Sequence, residues 1–355
     1  MRSEQKCPGS QEYSGLVQAP LVTVVMCVYN PGEHFRPSLL SILGQTYRKL
    51  DILIIDDGST DGCFESVQDL LADSRIRVFH QENATRPVAL NRALDLVQGE
   101  FYAVHDADDI SHPNRIEKQV DALLSRPQLA AVFSGNELIM NGRSLAPTFA
   151  PKSEYDCKRE IDAFRMPAHD PTGMFRMSLV GDFRYDAALP FVEAFDYVLR
   201  VGEQHPMMVL GDCLYGYRIL LNSVTRRDPM RREHFVAEAL RRACVRRNVD
   251  YDQIFPKKAD GARRSKNSIR DNNIAAHFMR SVLDQCRAGD RFAALRTGLH
   301  CVRLCPVDLH YYKAVVYALT PSTIVDAWRP EASTVSFASA KGNGELMSSE
   351  QRRSS

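Results

Sequence analysis

The chain has 355 residues, with 45 Lys and Arg against 44 Asp and Glu, a formal net charge of +1 at neutral pH, so whole-surface electrostatics select neither nucleic acid nor an acidic polymer as partner. The apolar and charged fractions, 44% and 25%, are those of an ordinary globular protein long enough for two domains, or one large domain with a helical extension. The nine cysteines are odd in number with no Cys-x-x-Cys pair, which points to reduced thiols in a cytoplasmic compartment; Met1–Ser14 lack the apolar core of an export signal, and no stretch reaches the roughly 18 to 20 uncharged apolar residues of a membrane span.

In chain order, Met1 to Ala19 reads as a disordered lead. Leu21–Tyr29 is a β-rich run bounded by Pro20 and by Asn30-Pro31-Gly32. Pro37–Gln45 suits a helix, Asp51–Ile55 a second strand, Asp56–Thr60 a turn, Phe64–Leu71 a helix and Arg75–Phe79 a strand. Pro87–Val97 carries Val88, Leu90, Ala93, Leu94 and Val97 at helical spacing, and Gly99 stops it. Phe101–Val104 is a strand, Pro113–Leu124 a helix and Ala130–Phe133 a strand. Strands alternating with helices of about ten residues predict an α/β fold: a mostly parallel sheet with helices on both faces. Ligands on such sheets bind beyond the carboxyl ends of the strands. That rule singles out Tyr29-Asn30, Asp56-Asp57 and Asp106-Ala107-Asp108, each directly after a strand. From Asn136 to Asn222 the alternation is less regular, with a helix over Pro190–Glu203 and edge strands over Met207–Tyr217. Arg231 to Trp328 reads as helical, with a loose basic stretch near Lys257–Lys266 and paired helices within Asp271–Leu319; beyond Pro330 the composition is that of a disordered tail.

The strongest local signal is His105-Asp106-Ala107-Asp108-Asp109. Three carboxylates within four positions repel one another and are tolerated if solvated or held by a cation. Mg²⁺ and Mn²⁺ take one or two carboxylates together with substrate phosphates. The second acidic pair, Asp56-Asp57, precedes Gly58-Ser59-Thr60-Asp61; a carboxylate there can accept from a base imide N–H or a ribose hydroxyl, although the segment also suffices as a turn and helix cap.

The run Thr23-Val24-Val25-Met26-Cys27-Val28-Tyr29-Asn30, the segment Ser38–Gln45 with Thr46-Tyr47, and Asp51–Asp61 together resemble the opening of the family 2 glycosyltransferases. The match continues through Glu82-Asn83, Ala89–Leu94, Gly99-Glu100-Phe101 and Asp106–Asp109, and the resemblance covers about Leu21 to Arg227. It implies a GT-A, Rossmann-like fold over residues 20–228; the helical region at 229–329 and the tail at 330–355 lie outside the resemblance. It implies a nucleoside pocket from Tyr29, Asn30, Asp56 and Asp57, with Asp57 or Asp56 on the base. Asn83 and Arg86 would lie near the nucleotide, Asp106 near the ribose or sugar, and Asp108 on a Mn²⁺ or Mg²⁺ bridging the diphosphate. Thr85 stands where the family places a glycine, a departure that weakens the roles given to Asn83 and Arg86.

On the acceptor side the family pattern of an acidic pair followed by a further acid aligns with Glu193-Ala194-Phe195-Asp196, and Ala194 replaces the acid that commonly serves as base. Glu193 and Asp196 share a helix face at this spacing, so either would take the acceptor proton, with Glu193 the first choice. His169 or Asp170 could approach metal or phosphate, and Arg226 with Arg227 could meet the leaving diphosphate. Between residues 226 and 270 stand fourteen Lys or Arg against six Asp or Glu, a local excess that would hold the enzyme peripherally at the inner face of an anionic membrane if the acceptor is lipid-linked. The expected activity is inverting transfer of a sugar from a nucleotide-diphosphate donor to a saccharide or lipid-linked hydroxyl in cell-surface polysaccharide or glycan synthesis. The competing readings are a nucleotide-sugar-binding relative with impaired catalysis and a sugar nucleotidyltransferase. No nucleic-acid motif accompanies the basic residues.

Overall fold

The structure is a computed structural model, and it describes residues 19–140, 143–145, 149–218, 229–255, 282, 286, 291–304 and 309–320. The expected lead and tail, and Arg226, lie outside the described residues. The chain divides into two compact units, Met1–Lys257 and Lys258–Ser355.

Among the described residues the first unit holds a sheet of nine strands. β1 (Val22–Val28) lies between β2 (Leu50–Asp56) and β4 (Phe101–Val104), and β3 (Ile76–His80) flanks β2; all four run parallel. Every residue of β2 and β4 is buried, as parallel strands covered on both faces require. Because side chains alternate along a strand, β1 divides its residues between two cores. Val22, Val24, Met26 and Val28 pack with α1 (Phe35–Leu43) and α3 (Arg115–Ser125), while Val25 packs on the opposite face with α2 (Arg86–Leu96). The predicted β-α-β alternation is present through residue 140, with one exception. Phe64–Leu71 forms only a 3-10 turn at Glu65–Val67 and irregular turns. Val67, Leu70 and Leu71 reach the core without a regular helix there.

Past β4 the sheet becomes mixed. β8 (Gly173–Arg176) inserts antiparallel between β4 and β6 (Ala131–Met140). β9 (Met207–Arg218) runs parallel to β6, with β5 (Ile110–Ser111) antiparallel on its far side and β7 (Arg143–Leu145) paired to β6. The residues read as edge strands are thus one twelve-residue strand with partners on both sides. The irregular middle also holds α4 (Glu154–Asp162), opened by a reciprocal capping box between Ser153 and Asp156, a short helix α5 (Met177–Val180), and α6 (Glu193–Gln204). Two further helices, α7 (Pro229–Arg246) and α8 (Tyr251–Ile254), belong to this first unit, so its compact body extends past residue 228.

In the second unit α9 (Arg291–Leu304) packs on α10 (Tyr312–Leu319). Gly298 permits the approach: a Cβ there would come within 3.0 Å of the Ala314 backbone. Among the described residues no helix is long and apolar enough to cross a membrane.

Arg115 joins the sheet to the loops above it. Its side chain is fully buried, and its Nη2 donates to the carbonyls of Val104 at 2.9 Å, Pro171 at 2.8 Å and Gly173 at 3.3 Å. Its Nη1 donates to Ser111 Oγ at 2.9 Å and its Nε to Gln119 Oε1 at 3.1 Å. Burial pulls the guanidinium down to about 10, which still leaves it charged at neutral pH. Arg115→Met would strip three carbonyls of a buried donor, so a loss of at least about 3 kcal/mol in unfolding free energy is expected. Urea denaturation checks this, and a change below about 0.5 kcal/mol, the range of an ordinary surface substitution, would show that Arg115 does not hold the loops.

Candidate active site

Parallel pairing sets the site. Val28 of β1 is in register with Asp56 of β2, and Asp56 with His80 of β3; Val25 of β1 is in register with Val104 of β4. The residues after β1, β2 and β4 therefore emerge along one edge of the sheet, as the sequence implied for Tyr29-Asn30, Asp56-Asp57 and Asp106–Asp109.

At the end of β1, Tyr29 is 51% exposed. Asn30 takes a left-handed φ of 49°, which Asn tolerates, and its Oδ1 accepts from Thr60 N at 2.7 Å while its N donates to Ser59 Oγ at 3.2 Å. Asp56 is a turn former: Oδ1 accepts from Ser59 N at 2.9 Å and Oδ2 lies 2.8 Å from His80 Nδ1. Asp57 Oδ1 accepts from Gln81 Nε2 at 2.7 Å and Ala84 N at 2.9 Å, and Asn83 Nδ2 donates to the Asp57 carbonyl at 3.0 Å. Gly58, at φ +80°, lets the Asn83 backbone pass: a Cβ there would stand 2.9 Å from Asn83 N. Asn83 thus braces the Asp57 turn.

Arg86, the first residue of α2, is the centre of charge. Its Nη2 donates to Asp106 Oδ1 at 2.8 Å and Asp170 Oδ2 at 3.4 Å, and its Nη1 donates to Glu193 Oε1 at 2.9 Å. Burial opposes a charged guanidinium there, but Asp106, Glu193 and Asp170 overcome it and hold the pKa well above its ordinary value. Asp170 sits in a 3-10 turn before β8; sequence reasoning gave it no firm role, and its only signal was the His169-Asp170-Pro171 run. Burial, then the charges of Asp106 and Glu193, push the Asp170 carboxyl up to about 6 against the pull of Arg86. His169 beside it is held neutral by burial, down to about 4.

Beyond Asp106 the acidic run is locked into the loop. Asp109 is fully buried, with Oδ1 accepting from Arg218 N at 2.7 Å, and Arg218 Nε donates to the Asp108 carbonyl at 2.7 Å. Burial and the Asp106 charge push Asp108 up to about 6; burial and both neighbours push Asp109 further. His105 spans Ser38 and Ser111, at 3.0 and 3.2 Å, and burial keeps it neutral. Among the described residues no three His, Cys, Asp or Glu side chains converge as a ready-made cation cage. The donor set nevertheless fits a hard divalent ion that takes one or two carboxylates and completes its shell with phosphate and water: Asp108 is buried and stands beside Asp106, and a cation there would offset both the burial and the repulsion.

The structure separates Glu193 from Asp196. Glu193, at the start of α6, joins the Arg86 cluster. The carboxylate of Asp196 accepts from Arg200 Nε at 2.7 Å and Arg246 Nη1 at 3.2 Å, so it ties α6 to α7 rather than entering the cluster. Three arginines of the basic stretch reinforce this joint. Arg242 bonds Glu238 at 2.9 Å and pairs with Asp186, Arg246 bonds Glu203 at 3.0 Å, and Arg247 bonds Glu203 at 2.8 Å.

With this geometry in view, the comparisons with known proteins are consistent. The family model for Glycosyl transferase family 2 matches residues 23–184. A glycosyltransferase of Haemophilus influenzae is 37% identical over 123 residues, 34% of this chain and 38% of that one. The chain spans only 19% to 46% of the length of the Rickettsia and Haemophilus relatives it matches. S. aureus TarS 1–349 in complex with UDP-GlcNAc aligns with a TM-score of 0.55 at 16% identity, covering 87% of this chain and 92% of that one. The mannosyltransferase PcManGT from Pyrobaculum calidifontis, in complex with GDP-Man and Mn²⁺, aligns at 0.52 and 18%, covering 89% of each chain. These likenesses establish the GT-A fold, a mixed sheet with helices on both faces.

Thr85 is strained. Its φ of 83° and ψ of 152° lie in a region open essentially only to glycine, and a β-branched side chain occupies it directly before Arg86. Thr85→Gly would relieve roughly 1–3 kcal/mol of strain against about 0.5–1 kcal/mol of added backbone freedom in the unfolded chain. A net gain near 1 kcal/mol in urea denaturation is expected; a loss of that size would mean the threonine makes compensating contacts.

Proposed function

We propose that the chain, whose residues 23–184 match the model for glycosyl transferase family 2, transfers a sugar, with inversion, from a nucleotide-diphosphate donor to an acceptor hydroxyl in cell-surface polysaccharide or glycan assembly. The observation that carries the reading is the convergence of Asp57, Asp106 and Glu193 along one sheet edge, with Arg86 bonding two of them. Both structural neighbours hold nucleotide sugars, UDP-GlcNAc in TarS and GDP-Man in PcManGT.

On this reading Tyr29 and Asn30 cover the nucleoside. Asp57, steadied by Gln81 and Ala84, accepts from the base or ribose, while Asp56 and Asn83 shape the turn that presents it. Asp106 faces the ribose or sugar. Asp108 would hold Mn²⁺ or Mg²⁺, which when bound neutralises charge on the departing diphosphate. Arg226 would add a donor to the same oxygens. Glu193 takes the proton as the acceptor oxygen attacks the anomeric carbon from the side opposite the phosphate. Asp196 acts at one remove, fixing the start of α6 where Glu193 stands. Residues 20–228 carry the chemistry and 229–329 the helical region. The enzyme works in the cytoplasm, with peripheral contact at the membrane's inner face when the acceptor is lipid-linked. Arg242, Arg246 and Arg247 are neutralised within the fold, so that contact is weak and salt-sensitive.

Incubation with UDP-, GDP- and TDP-sugars in Mn²⁺ tests the reading through slow release of nucleoside diphosphate. Asp108→Asn is expected to remove the metal dependence of donor binding, and Glu193→Gln to cut turnover by a factor of about 100 or more while donor affinity stays within twofold. Tight donor binding with no turnover in the wild type would instead favour a binding-only relative, for which Ala194 in place of the family acid is the specific observation.

A further inference from the structure

The Arg86 cluster contains two carboxyl groups with an unusual common feature. Glu193 Oε2 and Asp170 Oδ1 are both buried and without a hydrogen-bond partner. Their sister oxygens rest on the two terminal nitrogens of one guanidinium, Glu193 on Nη1 at 2.9 Å and Asp170 on Nη2 at 3.4 Å. The side chains are 6% and 5% exposed. Asp106, the third partner of Arg86, has a side chain 29% exposed to solvent.

Three ionised carboxylates on one guanidinium leave two uncompensated charges in a poorly solvated place. Neighbouring carboxylates in that position do not both stay ionised; they titrate as a pair. The open oxygens of Glu193 and Asp170 are where a proton can sit without breaking a bond already made.

We propose that Asp170 and Glu193 act as one proton-sharing carboxyl pair bridged by Arg86, which makes Asp170 a second proton-handling residue of the transfer. The inference rests on the transferase reading above for its catalytic part, while the pair itself is a property of the resting protein. In the reaction the acceptor O–H bond breaks and its proton passes to the pair. The acceptor oxygen's electrons form the bond to the anomeric carbon, and the bond from that carbon to the phosphate oxygen breaks, its electrons leaving with the nucleoside diphosphate. The pair then returns the proton to water. Few other groups interfere. Asp170 is faced by Arg86 of α2, Asp106 after β4, Tyr102 of β4, Glu193 and Tyr197 of α6, and Tyr185 before α6; Arg115 of α3 donates to the adjacent Pro171 carbonyl. Burial keeps the three tyrosines protonated well beyond neutral pH, and it keeps His169 uncharged there. Cys27 of β1 faces Glu193 and Arg86, and burial pushes its thiol up to about 12, so it too stays neutral; Arg86, Asp106 and Glu193 are the charged groups that face Asp170 near neutrality.

Carboxyl ¹³C NMR of the full-length protein labelled at Asp and Glu tests the pair without any ligand. Asp170 and Glu193 signals, assigned with Asp170→Asn and Glu193→Gln, are expected to move together in one shared step, as two open carboxyl oxygens on one guanidinium require. Either substitution should return the remaining partner's signal to a separate, unshared step. Independent titrations of the two groups in the wild type, both in the ordinary carboxylate range, would overturn the proposal. For the catalytic part, hydrolysis of UDP-GlcNAc and GDP-Man in Mn²⁺ is followed against pH. Asp170→Asn should lower kcat at least tenfold with donor KM within twofold, and shift the acid limb of the kcat profile to lower pH. An unmoved acid limb would overturn it even if kcat fell, since a merely structural role predicts that result. A wild type inert towards every nucleotide sugar would defeat the transferase reading, and the NMR titration would still decide the pair.

Discussion

The guanidinium of Arg86 and the three carboxylates around it are the constraint on which the site's geometry depends. Asp106 comes from the end of β4, Asp170 from the turn before β8, and Glu193 from the start of α6, so three stretches of chain far apart in sequence converge on one charge. Removing a buried partner of this kind leaves the others uncompensated, a cost far larger than that of a surface ion pair. The arrangement has a chemical use. A largely buried set of acids with one fixed cation is short of positive charge, and on the proposed reading a substrate arriving with a divalent ion would supply it. Burial, with the neighbouring carboxylates adding to it, raises the carboxyls of Asp108 and Asp170.

Two features support the cluster from beneath and behind. Arg115, buried between β4 and the Asp170 turn, fixes the height of both through backbone carbonyls. Behind α6, Asp196 and Glu203 receive Arg200, Arg246 and Arg247, so α7 acts as a buttress for the helix that begins at Glu193. The positive charge that looks like a surface patch in the sequence is partly internal structure. A net count along the chain cannot distinguish the two, because pairing with Asp186, Asp196 and Glu203 is a matter of tertiary contact.

The parallel half of the fold was legible because its signals are local. Continuous apolar strands, helical spacing over Pro87–Val97 and polar residues directly after β1, β2 and β4 together require one ligand-binding edge. The antiparallel half was less so. β8 has four residues and β5 two, too short for periodicity to register, and β9 resembles edge strands because its burial alternates irregularly around bulges. Ser153 and Asp156 do mark the start of α4, but the helix behind them buries only Cys157 and Ile161, too little for an apolar stripe. Within the site, Asp57, Arg86, Asp106 and Glu193 were named from motif and resemblance. Spacing on a helix placed Asp196 beside Glu193, and the structure turns it towards α7, where Arg246 bonds it together with Arg200 of its own helix. The signal at Asp170 is weak for the converse reason: nothing in the sequence near it indicates that Arg86, 84 residues away, lies above it.

The central claim is that these strand-end acids receive a nucleotide diphosphate together with a cation. Isothermal titration of the purified protein with UDP-, GDP- and TDP-sugars, in Mn²⁺ and again in EDTA, addresses it most directly. At least one donor should bind, and Mn²⁺ should tighten it at least tenfold. Equal affinity in both buffers, or no heat from any donor in either, would contradict the account.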